Sequence, residues 1–598
     1  MHSVRAGRRH LWLSALAVVA LGLLGTGGVA SAKSCPNSSK TTVSGKPSYT
    51  YTRGCIVSFD GASIVYNLFE PLNPARHSVY PIMEGPGWGG AGATSPDPKL
   101  ISAGYAELTW DPRGFGESGG VSEVDAPSAE GRDASALIDK VLTGRPEIVL
   151  DTCGKNHQPT YRNETRTSKV CGQPVVGMTG GSYGGGIQFA TAAFDRRVKV
   201  IVPVITWNNL DYSLWPNNVI KLAWGEGLYG LGLADGAANH AQGDLTGAPS
   251  GGDGGVQTGG YDPNIHYAEV TGAALGYPDR QMLYWFGQRS MSVYGAGPAG
   301  HVPNVPTLLI QGDVDTLFNL NDAWANYVEI KGHHPALPVK LISFCGGHVS
   351  CPTGAPPTGA NYSDRASKSS PVGPGETASQ FDEQQTLRWF DHYLRGNRPG
   401  DGMPNNVVYQ DQKGNFYAIR TFPTATAPGP ARIVSAPLSG TLVSHGAPSG
   451  AGPTFTDGAT NSSDPGQVTV PVVSAPAHSD LPIVGIGHVN ATVTVNGSAT
   501  ELFFRLIDKN AGTVLDLQTQ PLRVDNLDLQ GMGGNAQVPP GPQKISLDLV
   551  GTSYDLPAGD TLELQVSTST DSFTGNRGTA VVSIANGKVS VPTLASES

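Results

Sequence analysis

The chain has 598 residues, a formal net charge of −10, 15% charged and 39% hydrophobic residues. That length exceeds what one hydrophobic core organises, so two or more domains are expected. No Lys/Arg cluster follows the first few residues, which excludes a nucleic-acid partner, and 79 Gly with 46 Pro point to many turns and short elements.

The N-terminus reads as a secretory signal over residues 1–32. Arg5, Arg8 and Arg9 precede an apolar stretch at 11–24, and Ala30-Ser31-Ala32 offers a small-residue cleavage site. An uncleaved anchor is the alternative, but the apolar run is short for a bilayer and is broken by Gly22 and Gly25. Arg8-Arg9 leaves Sec and twin-arginine export both open. A secreted, extracellular protein with no membrane span after processing is expected. Six cysteines fit an oxidising compartment. Sequential pairing is the simplest arrangement: Cys35–Cys55, Cys153–Cys171 and Cys345–Cys351. No Cys or His spacing suits zinc, and no metal or cofactor is expected.

Downstream, short apolar runs, Gly-rich turns and helical patterns alternate. Residues 63–68, 79–83, 105–110, 175–179, 199–204, 307–311 and 339–344 read as strands. Residues 130–142 and 187–193 read as helices. The pattern predicts an α/β fold with a mostly parallel sheet and helices on both faces. Between 207 and 303 the alternation stops. Aromatic residues crowd this segment around a Gly-rich centre, and it is read as an inserted helical cap with a flexible loop. Residues 381–394 form a closing helix. Beyond a Pro/Ala-rich linker the segments 501–507, 544–550 and 561–567 predict a β-sandwich of jelly-roll type. The expected layout is hydrolase-type core at 33–206 and 304–422, cap at 207–303 and sandwich at 432–598.

Gly180-Gly181-Ser182-Tyr183-Gly184 matches G-x-S-x-G. An apolar strand enters it and a helical segment leaves it, as a nucleophile elbow requires. A serine hydroxyl needs a base, and the base needs an orienting carboxylate. The strand 307–311 leads into Gly312-Asp313-Val314-Asp315, which makes Asp315 the favoured acid and Asp313 its rival. Asp322 reads as a solvated or capping residue. The strand 339–344 leads to Cys345-Gly346-Gly347-His348, so His348 is the base, whereas His333 and His334 read as loop residues. A Cys345–Cys351 bridge would tie the histidine loop, with about 2 kcal/mol of chain-entropy stabilisation. The oxyanion hole is expected from the Tyr183 N–H and from Glu84-Gly85-Pro86-Gly87-Trp88-Gly89-Gly90, through the N–H of Trp88 or of Gly87.

These segments resemble the Xaa-Pro dipeptidyl-peptidase and cocaine-esterase (CocE/NonD-like) family of α/β-hydrolases. The resemblance rests on the loop Asp111-Pro112-Arg113-Gly114-Phe115-Gly116-Glu117-Ser118-Gly119, the helix start Glu130-Gly131-Arg132-Asp133, the elbow Gly181-Ser182-Tyr183-Gly184-Gly185 and the helix end Trp389-Phe390-Asp391-His392-Tyr393-Leu394-Arg395-Gly396. It implies acyl transfer to water through an acyl-enzyme, on a peptide or a small acyl substrate. The family's esterases often place a tyrosine hydroxyl in the oxyanion loop. None stands here, so an all-backbone hole is expected. A peptidase acting at peptide N-termini is the first expectation, an esterase or acylase the second and a non-catalytic binding protein the third. A dipeptidyl-peptidase must bind an ammonium, for which Glu226 and Asp211 are candidates, with Trp207 and Trp215 as aromatic walls.

Overall fold

The computed structural model describes residues 35, 38–152, 171–241, 260–296, 300–353, 378–398, 400–403, 406–445, 454–458, 466–498, 501–524, 541–575 and 578–595. The expected signal segment, Cys153 and the Gly-rich centre of the cap lie outside them.

The first sheet is built from β1 (Ser39–Val43), β2 (Tyr49–Val57), β3 (Ser63–Pro71), β4 (Pro81–Glu84), β5 (Ala106–Trp110), β6 (Val176–Gly181), β7 (Val198–Val204), β8 (Thr307–Gly312), β9 (Val339–Phe344), β10 (Val407–Gln410) and β11 (Phe416–Ile419). Its spatial order is β1-β2-β3-β5-β4-β6-β7-β8-β9-β10-β11. The pairs from β5 through β4 to β10 are parallel, while β1, β2, β3 and β11 join antiparallel. Helices cover both faces, which is why the central strands are near-continuous apolar runs: all of β5 and β8 is buried.

The helices are α1 (Pro98–Ser102), α2 (Glu130–Leu137), α3 (Tyr183–Phe194), α4 (Leu210–Leu214), α5 (Leu222–Ala241), α6 (Pro263–Leu275), α7 (Arg280–Gly287), α8 (Met291–Tyr294), α9 (Leu320–His333) and α10 (Ala378–Tyr393). A π-helical turn, Ile138–Leu142, extends α2 to the end the sequence predicts. Helices α4 to α8 lie between β7 and β8, in the segment expected to be a cap. Their aromatic residues form a cluster with Phe115, Tyr183 and Phe318 of the sheet domain.

The C-terminal part is all β: β12 (Arg432–His445), β13 (Gln467–Ser474), β14 (Leu481–Gly485), β15 (His488–Gly497), β16 (Glu501–Asp508), β17 (Thr513–Arg523), β18 (Gln543–Asp548), β19 (Thr552–Leu556), β20 (Thr561–Ser567) and β21 (Thr579–Thr593). One sheet runs β18-β15-β21-β14-β19 with β12 on β21, the other β13-β20-β16-β17. Inward residues such as Val489, Val493, Phe504, Leu564 and Val582 make the core between them. This sandwich is bonded to the sheet domain. Asn321 Nδ2 donates to Leu549 O at 3.0 Å and its Oδ1 accepts from Gly551 N at 2.8 Å, while Asn217 Nδ2 reaches Pro521 O at 2.9 Å.

Candidate active site

Strand β6 ends at Gly181 and α3 begins at Tyr183, which leaves Ser182 alone in the turn between them. Its φ of 57° and ψ of −118° lie outside the regions an L-residue prefers. Such a conformation costs about 1–3 kcal/mol and persists only where the surroundings enforce it. Here the Ser182 N–H is held by Val204 O of β7 at 2.9 Å. The turn is also crowded. Gly180 has a φ of +133° with the Gly85 carbonyl 2.6 Å from where a Cβ would stand, and a Cβ on Gly184 would overlap that same carbonyl. Glycine at these positions lets the loop after β4 lie directly against the elbow.

The Ser182 hydroxyl is 2.8 Å from His348 Nε2, and His348 Nδ1 is 2.7 Å from Asp315 Oδ2. The two partners arrive from the ends of adjacent parallel strands, β8 and β9. Asp315 is fully buried; its Oδ1 accepts from the N–H groups of Leu317 (2.9 Å) and Phe318 (3.0 Å), and its Oδ2 also accepts from His348 N at 3.2 Å. A carboxylate so anchored fixes the imidazole's position and tautomer. Edges of Phe318 and Trp224 close on the imidazole, with centroids 5.2 and 5.7 Å away. Cys345 is bonded to Cys351 and Cys35 to Cys55, and Cys171 is also oxidised. The Cys153–Cys171 pairing itself falls outside the described residues.

Asp313 occupies a different environment. It is fully buried beneath the acid loop, and neither carboxyl oxygen has a hydrogen-bond partner. Burial, reinforced by the nearby Asp516 of β17, pushes its carboxyl well above the usual carboxylate range. The structure therefore brings Asp315 to His348, not Asp313. Asp322 is buried rather than solvated: its Oδ1 accepts from Asn208 N and Ser213 Oγ, both at 3.0 Å, which ties the first cap loop to α9.

In the loop after β4, Trp88 sits edge-on to the Tyr183 ring with centroids 5.2 Å apart, and its indole N–H donates to Leu228 O at 2.9 Å. Gly87 O accepts from Gly90 N at 3.0 Å, closing a turn above the elbow. The expected aromatic walls are placed differently from the sequence expectation. Trp207 is buried against Phe318, with its indole N–H on Arg289 O, and Trp215 is buried against Phe286. Both pack the base of the cap; the cap ring that reaches His348 is Trp224. Glu226 is exposed. It follows Trp224 by two residues, roughly 200° around the helix, so it points away from His348. Its neighbour is Glu269 of α6, whose carboxyl is raised by burial and by Glu226. Asp211 is raised to about 7 by burial alone.

A strained serine at a strand-to-helix turn, hydrogen-bonded through histidine to a buried aspartate above a mostly parallel sheet, defines a serine hydrolase of the α/β-hydrolase fold. Residues 60–350 match the family model of the X-Pro dipeptidyl-peptidase (S15 family), and residues 391–581 match that of the X-Pro dipeptidyl-peptidase C-terminal non-catalytic domain. The chain belongs to this family, and it acts on acyl bonds. Among solved structures, a CocE/NonD family hydrolase from Staphylococcus aureus superposes with a TM-score of 0.58 at 14% identity, covering 92% of this chain and 94% of that one. An aminopeptidase from a marine sediment Thaumarchaeota archaeon gives 0.60 at 13%, covering 91% and 97%. An α-amino acid ester hydrolase gives 0.60 at 14%, covering 91% and 96%. At these identities the likeness is one of fold. No curated protein sequence matches the chain.

Proposed function

We propose that this chain is a secreted peptidase that removes short N-terminal fragments through an acyl-enzyme, with Ser182 as nucleophile. The observation that carries the reading is the unbroken relay Ser182 Oγ–His348 Nε2 at 2.8 Å and His348 Nδ1–Asp315 Oδ2 at 2.7 Å. As Oγ attacks the substrate carbonyl carbon, His348 Nε2 takes its proton, and Asp315 stabilises the imidazolium. The carbonyl oxygen becomes an oxyanion that accepts from the N–H of Tyr183 and from that of Trp88, with Gly87 as the alternative second donor. Collapse breaks the C–N bond while His348 returns the proton to the leaving amine. Water then repeats the sequence on the acyl-serine and frees the enzyme.

The family model's dipeptidyl-peptidase description supports an N-terminal substrate. An ammonium needs a carboxylate, and the Glu226–Glu269 pair at the α5–α6 junction is the proposed acceptor. Two like charges held together are relieved by a cation. The second reading is an esterase or acylase, and one observation favours it: Glu226 faces away from His348. Ala-Pro-p-nitroanilide, its N-acetylated form and p-nitrophenyl acetate separate the two. Cleavage of the free peptide with loss on acetylation supports the peptidase; turnover of the ester alone supports the esterase. Export rests on the sequence of residues 1–32 and on the Cys35–Cys55 and Cys345–Cys351 bonds. Among the described residues no helix is long and apolar enough to cross a membrane.

A further inference from the structure

The Tyr183 side chain has a feature that the relay does not use. Its ring is buried between Trp88, 5.2 Å away, and Phe115, 6.1 Å away. Its hydroxyl reaches a polar recess under the elbow. There it donates to Glu130 Oε1 at 3.2 Å and lies 3.0 Å from Ser122 Oγ and 3.4 Å from the Asp125 N–H. One phenol can donate once and accept twice, so this hydroxyl is saturated. Glu130, at the start of α2, is itself buried and fixed by backbone donors: Glu123 N on Oε1 at 2.6 Å and Ala126 N on Oε2 at 2.9 Å.

We infer that Glu130 is a positioning residue for the oxyanion hole, acting through the Tyr183 hydroxyl. The inference rests on Ser182 being the nucleophile. Tyr183 is the first residue of α3, so its N–H has no partner within the helix. What sets that N–H against a developing oxyanion is the elbow on one side and the anchored side chain on the other. The same ring supports Trp88, the proposed second donor, so one tether orients both halves of the hole. Only a group accepting at both oxygens fits Glu130's place, because a backbone N–H is aimed at each. A glutamine would turn its amide N–H toward one of those donors.

The test uses the full chain, p-nitrophenyl acetate as substrate and trifluoroacetophenone as a probe that forms an oxyanion on serine. Tyr183→Phe keeps the ring and removes the tether. It should lower kcat about tenfold, leave KM within about twofold and weaken trifluoroacetophenone by the same tenfold factor. Glu130→Gln should do the same, and adding it to Tyr183→Phe should cost nothing further. Unchanged kcat in Tyr183→Phe would overturn the inference. A fall in kcat with inhibitor affinity intact would also overturn it, since the hydroxyl would then act elsewhere than on the oxyanion. If Glu130→Gln does not fold, Ser122→Ala replaces it, with a smaller loss of the same kind expected and wild-type behaviour counting against the tether. Ser182→Ala separates the two levels: residual turnover there rejects the nucleophile itself. An inactive Ser182→Ala beside a fully active Tyr183→Phe rejects only the tether.

Discussion

Serine, histidine and aspartate fall within hydrogen-bonding distance of one another at two places among the described residues. The second lies on the outer face of the sandwich, where Ser546 Oγ is 3.1 Å from His488 Nε2 and His488 Nδ1 is 2.6 Å from Asp548 Oδ1. The distances resemble those around Ser182, but the physics does not. The Asp548 side chain is 64% exposed and that of Asp315 is 0% exposed. Ser546 lies in the regular strand β18 rather than at a strained turn before a helix. Ser546→Ala should therefore leave turnover and fluorophosphonate labelling as in the wild type, whereas Ser182→Ala should lower kcat by about 10⁶. Peptide mapping of the label checks both. The two acid-loop carboxylates divide in the same way. Asp315→Asn should lower kcat by about 10⁴, because the imidazole loses its orienting acceptor. Asp313→Asn should change kcat by less than about threefold, since the carboxylate on His348 is that of Asp315. Ser182 and His348 were legible from their strand-then-turn context. Asp315 was favoured over Asp313 only by its place in Gly312-Asp313-Val314-Asp315, because two residues apart at a strand's end either can swing beneath the histidine. The Glu130–Tyr183 contact was illegible for another reason: it joins two helix starts that meet only after the sheet forms.

At the level of elements, α3 packs tightly against the loop after β4. A methyl at Gly184 would overlap the Gly85 carbonyl, which is backbone and cannot rotate aside. Gly184→Ala should thus lower kcat by at least about 10² while the chain still folds, with circular dichroism as the control. Sequence pattern carried the start of this helix back no further than Gly185-Gly186-Ile187, because Gly184, Gly185 and Gly186 are weak helix formers. Close packing overrides that weakness and the helix starts at Tyr183. The strands β3 to β9 were readable because both faces are apolar. Strand β1 was not: four of its five residues are exposed, so no hydrophobic alternation marks it. Strands β10 and β11, four residues each, are too short to carry a period.

At the scale of the molecule, the sandwich meets the acid loop through more than surface contact. Gln518 Nε2 of β17 donates to Asp313 O at 2.8 Å and to Asp315 O at 3.1 Å. Gln518→Ala should lower kcat about tenfold with little change in KM, by loosening Asp315. Beside this contact, Asp313 and Asp516 face each other across the two domains, with Asp411 adding to the repulsion. Burial raises the Asp516 carboxyl to about 7. A carboxyl raised on folding contributes stability that is complete below its unfolded value and is lost as pH rises through about 7. Asp516→Asn removes that loss and keeps an acceptor for Ser553 N, which now bonds Asp516 Oδ2 at 2.7 Å. Asparagine also tolerates the positive φ of 50° at this position. Thermal melts should show the variant more stable than wild type at pH 8, by more than about 1 kcal/mol, and equal to it near pH 4.

The Gln518 contact has a consequence in time. Gln518 lies 203 residues beyond Asp315 along the chain, and pairings of such separation close late because the intervening loop must first lose its freedom. The relay's three side chains can all be present in a folded sheet while the aspartate still lacks its outer support. Catalytic competence should then come late in folding, a safety catch released when the sandwich docks on the acid loop. In refolding from guanidinium, ester turnover should return after the far-UV signal has recovered, and a chain ending at residue 431 should bind the fluorophosphonate far more slowly than the whole.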